Sequence, residues 1–178
     1  MRVIWLNGAF GAGKTTLAER LIENHPQLLL FDAELPGFMF REIVSLPPGG
    51  DFQDLRVWRR GVVDTAVSLL EEYGRDLVVP MTVVVPAYLD EIFGGLRARG
   101  VRVDHYFLNV TAGVLRKRCE AQSIWPDDPG RDAEVRAWRL AQVDRCVAAA
   151  SGLPAGTVVL DGELPVGELA AQIARAAD

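Results

Sequence analysis

Residues 8–15 read Gly8-Ala9-Phe10-Gly11-Ala12-Gly13-Lys14-Thr15, a complete G-x-x-x-x-G-K-[ST] phosphate loop, and this octet constrains the fold more than any other stretch. It follows the apolar run Val3-Ile4-Trp5-Leu6 and precedes a segment, Thr15 to Asn24, with helical composition and spacing. Strand, loop and helix in that order turn a short pattern into a site. The glycines let successive backbone N–H groups point into one concave nest, where they and the helix N-terminus favour a polyanion. Gly8 to Gly13 with Lys14, Thr15 and Thr16 are therefore the expected nucleotide contacts. Lys14 is expected to reach the outer phosphates of a nucleoside triphosphate, and the Thr15 hydroxyl to ligate Mg²⁺.

Beyond the loop, apolar runs and helical patterns alternate. Strands are expected at 28–31, 76–85, 101–110 and 157–160, and helices at 38–46, 52–73, 86–99, 111–122, 134–150 and 166–177. Pro47-Pro48-Gly49-Gly50 reads as a turn. Such alternation predicts an α/β fold with a central five-stranded parallel sheet, helices on both faces and ligands at the carboxyl ends of the strands. A chain of 178 residues suffices for one such domain, spanning 1–178. Within it, a substrate-binding insert is expected at 35–60 and a small lid at 122–135.

Charge excludes some partners. The net charge is −5 and the densest basic run is Arg116-Lys117-Arg118, too short to track a duplex, so no nucleic-acid partner is expected. Cys119 and Cys146 lack metal-ligand spacing and are expected as reduced thiols. No apolar run approaches the ~20 residues of a membrane span. The first six residues lead into a strand, so neither a signal peptide nor an integral membrane segment is expected, and the expected location is cytoplasmic.

A magnesium-dependent phosphate-loop enzyme needs a carboxylate on the rim that bears the loop. Two apolar runs end in one: Leu28 to Phe31 before Asp32, and Val158 to Leu160 before Asp161. The third strand meets Pro80-Met81-Thr82 and offers no acid. Asp32 and Glu34, two apart on an extended segment, project the same way; one can order magnesium while the other holds or deprotonates a hydroxyl. Asp32 also suits a turn or helix cap.

Helical spacing sorts the arginines. On the 111–122 helix, Arg118 falls in the middle of the apolar face formed by Val114, Leu115 and Cys119, where a guanidinium needs an anion or an aromatic plane. Arg116 and Glu120, four apart on the opposite face, are an expected solvated pair. On the next helix Trp138, Gln142 and Arg145 share a face. Arg118 and Arg145 are thus candidates for phosphate contact beneath a lid at 123–133, with snorkelling at the core edge as the other reading. Arg41, Asp51, Gln53, Arg59 and the Met81-Thr82 strand end are candidates for an acceptor pocket. Asp51 equally suits a helix N-cap, and Trp58 lies on an apolar stripe and reads as core.

Four blocks carry a resemblance to a known family: Ile4 to Thr15, Asp51-Phe52-Gln53 with Trp58-Arg59, Val79-Pro80-Met81-Thr82, and Asp144-Arg145-Cys146. Together they resemble the ATP-binding tunicamycin resistance proteins over residues 3 to about 148. The first block is shared by many phosphate-loop kinases; the other three together are more specific. The resemblance implies a three-layer fold like that of small-molecule and nucleoside monophosphate kinases. It also implies ATP binding, recognition of the uridine-containing antibiotic tunicamycin, and resistance by phosphorylating the drug or by holding it. As a phosphotransferase, the chain would use Lys14, Asp32, Arg118 and Arg145 in catalysis. Mg²⁺ would sit on Thr15 and Asp32, and tunicamycin or another hydroxyl-bearing small molecule would meet Asp32, Glu34, Arg41, Asp51, Gln53, Arg59, Met81 and Thr82. ATP-gated sequestration without chemistry is the alternative.

Overall fold

The computed structural model describes residues 1–46 and 50–177; the expected turn at Pro47, Pro48 and Gly49 lies outside them. Five strands, β1 (Arg2–Gly8), β2 (Leu29–Leu30), β3 (Leu77–Pro80), β4 (Arg102–Asn109) and β5 (Val158–Asp161), form one parallel sheet in the order β2-β3-β1-β4-β5. β1 is central, so both of its faces are covered, and this is why Val3 to Leu6 is an unbroken apolar run. Val3 and Trp5 face one core with Trp58, Val62, Ile92 and Phe93, from α3 (Arg56–Tyr73) and α4 (Pro86–Arg97). Ile4 and Leu6 face a second core with Leu17, Leu21, Leu115, Val143 and Ile173. These come from α1 (Lys14–Asn24), α5 (Ala112–Ala121), α6 (Pro129–Ala148) and α7 (Val166–Ala177). The expected three-layer parallel architecture is the observed one.

Several boundaries differ from the sequence pattern, each for a local hydrogen-bonding reason. β3 ends at Pro80 rather than Val85, because beyond Met81 the Asn7 side chain replaces the ladder and accepts from Val83 N at 3.0 Å. The helix expected from Phe38 starts at Glu34 as α2 (Glu34–Ile43), since Asp32 Oδ1 accepts from Glu34 N at 2.9 Å. A 3-10 turn at Phe52–Asp54, closed by a reciprocal Asp51–Asp54 capping box, precedes α3. Asp128 caps α6 by accepting from Arg131 N at 3.0 Å, with Pro129 in the first turn, so the helix begins five residues earlier than expected and the connection from α5 is shorter.

Gly37 fixes how α2 meets the rest. A Cβ at this position would lie 2.6 Å from the Phe52 ring, so only glycine lets the helix seat on that aromatic. Trp58, fully buried, ties the same corner by donating from Nε1 to Ala33 O at 3.0 Å. The expected Arg116–Glu120 pair is not formed: Arg116 reaches across to Asp144 on α6 at 2.7 Å, because α5 and α6 pack together and bring that carboxylate closer. Among the described residues no helix is long and apolar enough to cross a membrane.

Candidate active site

The phosphate loop leaves the carboxyl end of β1 and closes on α1 through Gly13, whose φ of 94° is in the left-handed region. Gly8 is set against β4, where a Cβ would come within 2.9 Å of Leu108 O. Its carbonyl accepts from Lys14 Nζ at 3.0 Å and from Thr82 Oγ1 at 2.8 Å. Lys14 also donates to Ala9 O at 2.9 Å, so its ammonium is folded back onto the loop. Burial lowers the Lys14 pKa to about 8, and the neighbouring Glu34 carboxylate opposes part of that shift.

A cavity of about 410 Å³ opens beside the loop. Phe10 and Met81 form its base, Glu34, Arg41, Asp51 and Gln53 one wall, and Arg131, Trp138 and Arg139 the facing wall on α6. Burial raises the Glu34 pKa, with the Asp32 carboxylate acting in the same direction and Lys14 and Arg139 against it. Those couplings place a carboxylate pair, an ammonium and a guanidinium in one electrostatic neighbourhood. Phe10 lies at its centre: its ring is 4.9 Å from that of Trp138, with Lys14 Nζ 5.7 Å and the Arg139 guanidinium 5.5 Å from its centroid. The segment between α5 and α6 is pinned to the first turns of α6. Asp132, buried, accepts from Ile124 N at 2.6 Å and Trp125 N at 3.0 Å and pairs with Arg136, while Arg131 stacks 3.6 Å from the Trp125 ring centroid.

The structure thus brings Glu34, Arg41, Asp51, Gln53 and Met81 to one cavity, and assigns other expected residues different work. Asp51 serves both as the cap of the 3-10 turn and as part of the wall. Thr82 is buried and spends its hydroxyl on Gly8 O, which makes it a support of the loop. Arg118 is held chiefly by backbone: its Nη1 donates to the carbonyls of Gly162 at 3.1 Å, Gly11 at 3.4 Å and Ala12 at 3.5 Å, with the Glu163 carboxylate as a nearby opposite charge. It therefore braces the outer side of the loop against the turn after β5. Asp161, at the head of that turn, accepts from Glu163 N at 3.1 Å.

Arg59 lies outside the cavity. Its Nε meets Glu91 at 2.7 Å, its Nη1 donates to Gln53 O at 2.5 Å, and its guanidinium covers the Tyr88 ring at 4.3 Å. It props Gln53 from behind. Replacing Arg59 with alanine is expected to strip a buried carbonyl of its charged donor and cost about 2 kcal/mol of stability. Chemical denaturation checks this; an unchanged midpoint would show that Arg59 supports nothing.

Arg145 is exposed and does not line the cavity. Its guanidinium adds a minor pull on Asp54, whose carboxyl is held below the usual range chiefly by the Asp51 N–H and the Tyr88 hydroxyl. The α6 arginine beside the loop is Arg139, six residues and roughly 9 Å of helix rise earlier. Arg139 lies within the helix expected from Glu134, one residue past Trp138, and only the packing of α6 against Phe10 sets it beside the loop. From Pro129, the stripe Arg131, Val135, Trp138 and Arg139 is visible at helical spacing.

The comparisons with known proteins agree with this architecture. The AAA domain family matches over residues 3–150. No curated protein matches. Among solved structures, the chain is similar to the tunicamycin resistance protein of Deinococcus radiodurans, at 24% identity over 99% of this chain and 96% of that one, with a TM-score of 0.70. It is also similar to a sugar kinase from a Janibacter species, at 18% identity over 98% and 93% of the two chains (TM-score 0.68). A shikimate kinase from Aquifex aeolicus matches at 17% identity over 99% and 96% (TM-score 0.53). At these identities the likeness is one of fold.

Proposed function

The chain belongs to the AAA domain family, and on that footing we propose that it transfers the γ-phosphoryl group of Mg-ATP to a hydroxyl of a small molecule, with tunicamycin as the candidate acceptor. The observation that carries this reading is a cavity lined by Phe10 of the phosphate loop together with Glu34, Arg131 and Arg139. A donor phosphate and an acceptor hydroxyl would meet there.

Hard oxygen donors suit magnesium, and the Thr15 hydroxyl and Asp32 carboxylate are oxygen donors on the loop's rim. Among the described residues no cluster of three or more His, Cys, Asp or Glu that could hold a metal is present. When bound, magnesium supplies charge neutralisation at the β- and γ-phosphates. Lys14 leaves the Gly8 and Ala9 carbonyls for the phosphate oxygens. Glu34 takes the proton of the acceptor hydroxyl as its oxygen bonds to the γ-phosphorus, and the bond to the β-phosphate oxygen breaks to release ADP. Arg139 offsets charge on the transferring group, and Arg118 keeps the loop in place. Arg41, Asp51 and Gln53 orient the acceptor.

The aromatic lining of Phe38, Phe52, Trp125 and Trp138 favours a second reading, in which the antibiotic is held without chemistry. Under either reading tunicamycin and Mg-ATP should stabilise the protein together beyond either alone, because ligands that share a closed state bind cooperatively. Absence of any joint effect in a thermal-shift titration would remove tunicamycin as the ligand.

The arginines supply a sharper comparison. Arg139→Ala is expected to lower turnover by about 10²-fold or more, as for loss of a group that stabilises transferring charge. Arg145→Ala should cost less than Arg139→Ala. Arg116→Ala should stay within about 1 kcal/mol of wild-type stability with turnover intact, since its pair with Asp144 is exposed. Equal damage from Arg116 and Arg139 in parallel kinetics would refute the placement of Arg139.

A further inference from the structure

Asn7, the last side chain before the phosphate loop, is completely buried, and each hydrogen-bonding position of its amide is occupied. Its Oδ1 accepts from Gly8 N at 2.8 Å and from Val83 N at 3.0 Å. Its Nδ2 donates to Val83 O at 2.8 Å and meets His105 Nε2 at 3.2 Å. An amide nitrogen can only donate, so His105 Nε2 must be the acceptor and the ring proton must sit on Nδ1. That proton points to Thr157 Oγ1 at 2.8 Å, and the Thr157 hydroxyl in turn donates to Pro154 O at 2.7 Å. Donation thus runs one way, from β1 through β4 to the segment before β5.

We propose that Asn7 and His105 are positioning residues of the phosphate loop, with the His105 acceptor nitrogen locking the Asn7 amide and that amide fixing Gly8 and Val83. The inference rests on the reading of this loop as a nucleotide site. Gly8 has φ 140° and no room for a Cβ, so its peptide has one seat, and its carbonyl receives both Lys14 and Thr82. Val83 is the residue after Thr82; one amide therefore sets both sides of the Thr82–Gly8 contact. A flipped Asn7 would turn its NH₂ toward two N–H donors and lose both. On the nitrogen side Val83 O and His105 Nε2 both accept from the amide, so His105 adds a second acceptor that opposes the flip. His105 is buried, stacks edge-on against Phe93 at 5.0 Å and stays neutral, its pKa lowered to about 4 by burial and then by Arg97. The neutral ring is the form the chain of bonds requires.

The test uses the full chain with His105→Phe, which keeps the ring and removes both nitrogens, and His105→Gln, whose amide oxygen can again accept from Asn7. Wild type should show the Nδ1–H tautomer by nitrogen NMR. His105→Phe should weaken Mg-ATP binding and speed Gly8 amide exchange, each by about tenfold, the scale of leaving one buried donor unpaired. His105→Gln should recover most of both even if its melting temperature stays as low as that of His105→Phe. An Nε2–H tautomer, or Gly8 exchange unchanged in His105→Phe, would overturn the proposal. If wild type binds no Mg-ATP, the nucleotide reading fails while tautomer and exchange still decide the positioning role. If His105→Phe does not fold, Thr157→Val replaces it: a smaller acceleration at Gly8 supports the relay, and none refutes it.

Discussion

Glu34→Gln is expected to remove 10²-fold or more of phosphoryl-transfer turnover while leaving the fold and Mg-ATP affinity near wild type, the scale of losing one positioned acid–base group. The reason lies in its surroundings. Glu34 lines the cavity, and burial together with Asp32 raises its pKa above the ordinary carboxylate range. A base of that kind holds a proton more readily than an exposed carboxylate does. Turnover should accordingly fall as pH drops through the raised pKa, because the protonated form cannot accept a proton, and in Glu34→Gln this acid limb should vanish. Asp32→Asn should also lower turnover, but by a different route. Its Oδ1 can still accept from Glu34 N, so the turn into α2 is kept, whereas the charge available to magnesium is gone. Raising magnesium should restore part of the Asp32→Asn rate and none of the Glu34→Gln rate. Identical magnesium responses in the two variants would mean that their roles have been confused.

Lys14→Ala should weaken Mg-ATP binding by at least about 2 kcal/mol, close to thirtyfold, the scale of a lost charge-assisted hydrogen bond to phosphate. In the free protein the ammonium is spent on the Gly8 and Ala9 carbonyls, and Gly8 O keeps its bond from Thr82 when alanine replaces the lysine. Stability should therefore change little. The sign of the pH effect follows from the lowered pKa. The free lysine loses its proton as pH rises through about 8, whereas phosphate favours the charged form. Affinity should decline above that pH, and calorimetry there should register net proton uptake on binding, absent in Lys14→Ala. Unchanged affinity in the variant would refute the loop as a nucleotide site.

The fold was largely legible because its signals are local. An octet with flanking strand and helix, and apolar runs alternating with helical stripes, specify a parallel sheet without any long-range information. What escaped the sequence were the partners that the fold supplies from a distance. Arg59 resembles an acceptor contact by position, yet Glu91, thirty-two residues on, claims it. Thr82 stands at the rim and turns to Gly8, seventy-four residues back. Arg145 shares a helical face with Trp138, but the way α6 packs on the loop sets Arg139 and Arg131, and not Arg145, along the cavity. Asn7 lies outside the phosphate-loop octet, and its role depends on His105 from β4 and Val83 from the segment after β3. Side chains that point along their own element were readable, and those recruited across elements were not.

The central claim is that the cavity unites a phosphate donor with a hydroxyl acceptor, and mass spectrometry of the small molecule tests it most directly. After incubation of the full chain with Mg-ATP and tunicamycin, the account predicts that the drug gains one phosphate, that ADP accumulates in equal amount, and that Glu34→Gln suppresses both. Joint stabilisation of the protein with the drug recovered at its original mass would contradict phosphoryl transfer and leave sequestration in its place.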